Sequence, residues 1–80
     1  MAKLSVGKVT GLIVHEYQGL TISISPRKAK KSGRDRVWVQ IRQKGPVKRW
    51  RVSASLSYAR SADIQFEDSP GKDVADIEAP

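Results

Sequence analysis

Residues 36–53 read RVWVQIRQKGPVKRWRVS, and the way this stretch pairs decides the fold. Both tryptophans of the chain, Trp38 and Trp50, lie in it among Arg36, Arg42, Lys44, Lys48, Arg49 and Arg51. Val37, Val39 and Ile41 alternate with Trp38, Gln40 and Arg42, the period of a strand with one buried face. Beyond the turn signal Lys44-Gly45-Pro46, Trp50, Val52, Ala54 and Leu56 alternate with Arg49, Arg51, Ser53 and Ser55. Folding 36–43 onto 47–56 as a hairpin sets Ile41 against Trp50, Val39 against Val52 and Val37 against Ala54. Cross-strand neighbours share a face, so the other face sets Arg42 beside Arg49, Gln40 beside Arg51 and Trp38 beside Ser53. This register buries Trp50 and exposes Trp38.

Period two also governs the preceding residues. Val9 to Glu16 is apolar and β-branched, and Leu20 to Ser25 alternates strictly, with Leu20, Ile22 and Ile24 on one face. A turn at Gln18-Gly19 pairs Tyr17 with Leu20, His15 with Ile22 and Ile13 with Ile24. Pro26 is expected to end the second strand because it cannot donate to a ladder. Residues 26–35 have no periodicity and read as a mobile basic loop. Ser57 to Asp63 suits one helical or 3₁₀ turn, and Ile64 to Glu67 a last strand burying Ile64 and Phe66. Residues 68–80 hold four acids, two prolines and a glycine, the composition of a disordered acidic tail. The expectation is therefore a mainly β domain over 1–67, a small five-stranded antiparallel barrel of SH3-like form. An OB-like barrel is the alternative, though it normally carries a helix before its fourth strand.

At 80 residues the chain has room for one domain with a small core. It has no cysteine, so neither a disulfide framework nor a thiolate metal site is open to it. No apolar run approaches the roughly 20 residues that span a bilayer, and no secretory h-region follows the first residues. A soluble cytoplasmic protein without a membrane partner is the expectation.

The net charge is +7, and its distribution says more than its size. Residues 27–51 carry 11 basic side chains against Asp35, whereas residues 61–80 carry six acids against Lys72. A basic body points to a polyanionic partner. Opposed arginines destabilise a hairpin and an exposed indole harms solubility, so a surface bearing both is expected to gain by binding. Arginines meet phosphates in bidentate fashion, and an indole offers a stacking face to unpaired bases. The candidate site is thus Trp38, Gln40, Arg42, Lys44, Lys48, Arg49 and Arg51 on the hairpin face. Arg27, Lys28, Lys30, Lys31, Arg34 and Arg36 on or beside the loop would add phosphate contacts without reading sequence.

Catalysis finds little support. His15 is the sole histidine and pairs with an isoleucine, and no nucleophile has a visible base. The carboxylates gather in the tail, away from any position where they could pair around a metal. The expected function is a small non-enzymatic regulator that binds single-stranded DNA or RNA, with no cofactor. The alternative is an inhibitor or adaptor whose basic face docks on an acidic protein surface, since tryptophan and arginine also make protein–protein hot spots.

Overall fold

The computed structural model describes residues 2–29, 31, 33–43, 45, 49–57, 60–68 and 73–79. The chain is mainly β, with seven strands in order: β1 (Ala2–Lys8), β2 (Ile13–Tyr17), β3 (Leu20–Arg27), β4 (Arg36–Gln43), β5 (Arg51–Leu56), β6 (Ser61–Glu67) and β7 (Val74–Glu78). All pairings are antiparallel. They make a three-stranded sheet in the order β1-β6-β5 and a four-stranded sheet in the order β2-β3-β4-β7. Among the described residues these are two separate ladders and not a closed five-stranded barrel, SH3-like or OB-like.

The first hairpin folds in the expected register. Ile13 opposes Ile24, His15 opposes Ile22 and Tyr17 opposes Leu20. Gln18 and Gly19 both take positive φ, 51° and 77°, as a two-residue type I′ turn requires. Pro26 does not end β3, which runs on to Arg27 with Pro26 opposite Val37. The β2 ladder stops at Ile24, so Pro26 has a strand on one side alone, the edge condition under which strand proline is tolerated.

The second hairpin does not form. Strand β4 lies between β3 and β7, and β5 pairs with β6 in the other sheet. The physical reason is visible in the partners. Against β3, Ile41 meets Ile22 and Val39 meets Ile24; against β6, Val52 meets Phe66 and Ala54 meets Ile64. These pairs are as apolar as the hairpin would have made, and the edge of β4 that the hairpin would have used is taken by β7, with Val37 against Ile77 and Val39 against Ala75. They also part the arginines: Arg42 opposes Thr21, and Arg51 opposes Glu67. Arg51 thus gains an opposite charge across its ladder, although the β3–β4 ladder still sets Arg27 against Arg36.

The segment expected to be a disordered tail supplies β7. Ala75 and Ile77 oppose Val39 and Val37 on the inner face, with Asp76 and Glu78 outside. The Asp73 carbonyl accepts from Ile41 N at 2.8 Å, and Ala79 N donates to the Asp35 carbonyl at 2.8 Å, so the strand is tied at both ends. The folded body therefore extends past residue 67. Strand β6 likewise starts at Ser61, inside the stretch expected to turn, leaving Arg60 as the 3₁₀ residue before it. At the N-terminus, β1 covers 2–8 and residues 9–12 connect it to β2, although Val9 itself is fully buried.

One core joins both sheets: Leu20, Ile22, Ile24, Val37, Val39 and Ile41 from one, Val6, Leu56, Ala62, Ile64 and Phe66 from the other, with Val9 between them. Phe66 is fully buried, stacked on Tyr17 with centroids 5.5 Å apart and met edge-on by Trp50 at 5.8 Å. Such aromatic contacts add about 0.5–1.5 kcal/mol each beyond the area they bury.

Candidate functional site

Alternation in β4 sends Val37, Val39 and Ile41 into the core, so Trp38, Gln40 and Arg42 stand on the outer face of the four-stranded sheet. The ladders arrange that face in rows. Glu16, Thr21 and Arg42 form one; Val14, Ser23, Gln40 and Val74 the next; Ser25, Trp38 and Asp76 the third; Arg27, Arg36 and Glu78 the last. Trp38 is half-buried and central. The Arg27 guanidinium lies over its ring, 4.5 Å from the centroid, a cation–π contact across one diagonal of the sheet. Ser25, directly opposite Trp38, and Ser23 are the short, polar β3 residues beside it.

The described candidate residues divide three ways. Arg27, Trp38, Gln40 and Arg42 share the outer face of the four-stranded sheet, with Lys28, Lys31 and Arg34 in the connection at its Arg27 end. Arg36 faces outward too but is buried, with 9% of its surface exposed. It forms an ion pair with Asp76, and its Nη1 donates to the Lys28 carbonyl at 3.2 Å. That guanidinium holds β7 and the loop to β4, which makes it framework. Arg51 belongs to the other sheet, opposite Glu67, and Arg49 precedes it in the chain. The expected row of Trp38, Arg42, Arg49 and Arg51 on one hairpin is thus split between sheets. The segment from Gln43 to Arg51 joins the Arg42 end of one to the start of the other. Lys30, Lys44 and Lys48 lie outside the described residues.

Trp50 is the inner tryptophan, as the alternation required, although Phe66 and not Ile41 is its partner. Its Nε1 is buried with no acceptor among the described residues. His15 points inward beside Ile22, and its Nε2 is likewise buried and unpaired.

A separate open cleft of about 300 Å³ lies beyond the loop, lined by Lys8, Val9, Thr10, Asp35 and Arg60. Arg60 Nη2 is 3.3 Å from Asp35 Oδ1, so the guanidinium there already has a carboxylate. No group of acids, histidines and cysteines able to hold a metal occurs among the described residues. No helix among them is long and apolar enough to cross a membrane.

Sequence reasoning missed the acids of this site. Asp76 and Glu78 alternate with Ala75 and Ile77, a strand period that their acidic setting concealed. Glu16 accepts from Thr21 Oγ1 at 3.1 Å on the opposite rim. No family model, no characterised protein and no solved structure matches the chain, so the chemistry of the site is read from its residues.

Proposed function

We propose that the protein is a small non-enzymatic binder of single-stranded nucleic acid, with the outer face of the four-stranded sheet as its binding surface. The observation that carries this reading is Trp38: an indole placed by strand alternation on an outer face, with an arginine stacked on it. Base stacking on an aromatic is worth roughly 1–3 kcal/mol per base and needs no particular sequence. Arg27 now covers the indole, and by swinging off it would open the stacking face to a base and reach the neighbouring phosphate. Arg42 offers a second phosphate contact, and Gln40 between them carries an amide able to donate and accept at a base edge. Lys28, Lys31 and Arg34 add cationic charge beside the Arg27 end.

The test is a fluorescence and anisotropy titration with short single-stranded DNA and RNA at about 50 mM and about 200 mM salt. Binding that weakens steeply with salt, with quenched tryptophan emission, supports the reading. Trp38→Phe should keep more affinity than Trp38→Ala, because a phenyl ring still stacks. Absence of binding to either polymer at low salt would overturn the reading in favour of an acidic protein surface as the partner.

A further inference from the structure

The two sheets have four edges, and three of them are closed or guarded. Strands β5 and β7 lie against each other where the sheets meet. Strand β1 carries Lys3 and Lys8 and breaks register between Val6 and Lys8, two devices that keep a sheet edge from pairing. Strand β2 has neither. From Ile13 to Tyr17 it holds no lysine, no proline and no bulge, and among the described residues it pairs with β3 alone. Its outer face carries Val14, 55% exposed, with Leu12 just before the strand at 70%. These are the large apolar side chains left exposed among the described residues.

The backbone of β2 is set for a second partner. The two-residue turn makes Tyr17 and Leu20 a hydrogen-bonded pair, and with them His15–Ile22 and Ile13–Ile24. The residues between turn their N–H and C=O away from β3, so Val14 presents both to the open edge. We infer that two copies of the chain join at this edge, β2 against β2, antiparallel about a two-fold axis at Val14. Each Val14 then exchanges both backbone hydrogen bonds with its copy, and each lies diagonal to Leu12 of the other. Glu16 falls opposite Leu12 of the second copy, so no like charges meet across the ladder. Two four-stranded sheets become one of eight.

The distribution of charge is what selects a second copy as the occupant. Two chains of net charge +7 repel unless they meet where the cations are not. Residues 9–26 hold no lysine or arginine, and Glu16 is their one acid; all 15 lysines and arginines lie elsewhere. That segment is β2, its turn and nearly all of β3. An acidic partner would choose the basic remainder instead. An apolar pair that matches itself across an open edge suits an isologous two-fold contact. The inference goes beyond the nucleic-acid reading and stands without it.

A single strand edge belongs at the small end of specific interfaces, so the dimer is weak, with Kd on the order of 10–100 µM. The experiment is sedimentation equilibrium of the full chain from about 1 µM to about 1 mM, a range that brackets that Kd. The mass should rise from one chain to two. Raising salt from about 50 to about 500 mM should tighten the dimer at least about twofold, by screening the repulsion. Val14→Lys should raise Kd at least about tenfold and leave the unfolding midpoint unchanged, since Val14 is more than half exposed. The chain has no cysteine, so Val14→Cys supplies a single thiol. Under mild oxidation it should form a disulfide-linked dimer, because the paired Cα atoms are about 5.5 Å apart, within disulfide reach. Ser5→Cys, on the β1 edge, should cross-link at least about tenfold more slowly. The cross-linking decides the matter even if Val14→Lys does not fold. A chain that stays monomeric to about 1 mM overturns the second copy as the occupant. A dimer that weakens with salt, or that Val14→Lys leaves intact, overturns the β2 edge, as does equal cross-linking of the two cysteine variants.

Discussion

The outer faces of the two sheets solve the problem of a charged surface in opposite ways. On the three-stranded sheet, charges are matched across the ladder or set against neutral partners: Arg51 faces Glu67, Lys3 faces Gln65, and Ser5 and Ser55 both face Asp63. On the four-stranded sheet the arginines are gathered on the central strands, the acids are pushed to the rims, and an indole stands between them. The first is an arrangement a protein needs to stay dissolved. The second keeps like charges close, which costs stability unless a ligand answers it. The comparison teaches that net charge is a poor locator of function here. Both faces carry arginine, and it is the sorting of charge around Trp38 that distinguishes them.

That contrast can be broken or sharpened by substitution. The largest effect belongs to neither outer face. Phe66→Ala removes the ring that Tyr17 and Trp50 both contact, in a core shared by the two sheets. It should cost about 3–5 kcal/mol in denaturant unfolding and loosen both faces together. Independent loss of one sheet, seen as two unfolding transitions, would contradict a common core.

Asp76→Ala comes next. It leaves the Arg36 guanidinium, nine-tenths buried, without its carboxylate, at a cost of about 2–4 kcal/mol in unfolding free energy. Adding Arg36→Met should recover much of the loss, since no charge is then stranded. No recovery would mean that Asp76 acts through β7 itself and not through the ion pair. The smallest effect tests the contrast directly. Arg51→Ala, on the matched face, should leave the salt slope of oligonucleotide binding unchanged, while Arg42→Ala flattens it by about 0.7. Equal slopes for the two variants would erase the distinction between the faces.

Much of this was legible in the sequence. Strict alternation in 20–25 and 37–42 gave the inner faces of β3 and β4, and Gln18-Gly19 gave the turn and its register. Which tryptophan packs on the core also follows from alternation, because it depends on face and not on partner, although both indoles are half-buried. The partners themselves were not legible. Residues 51–56 present Val52, Ala54 and Leu56 at a spacing that fits β4 or β6 equally well, and local order along the chain favours the wrong neighbour. The far edge of β4 is taken by β7, with Val37 against Ile77 and Val39 against Ala75, a partner that no single hairpin reveals. Residues 74–78 were hidden for a different reason. Val74, Ala75 and Ile77 supply modest apolar surface, too little to order a strand without β4 beside it, so composition pointed to disorder while the sheet edge supplied the ladder. The candidate site was therefore half legible: Trp38, Gln40 and Arg42 came from alternation, whereas Arg27 over the indole and the acidic rims needed the ladders of β3 and β7.

The most direct test of the binding face uses the chain's own fluorescence. Trp50→Phe keeps the aromatic contact with Phe66 and removes a buried N–H that has no described acceptor, so the fold should lose no more than about 1 kcal/mol. Trp38 is then the sole indole. Titrating this variant with a single-stranded oligonucleotide at low salt, with anisotropy of the oligonucleotide read in parallel, should quench Trp38 emission in step with binding and restore it as salt is raised. Saturable binding with Trp38 emission unchanged would contradict a stacking role for that residue.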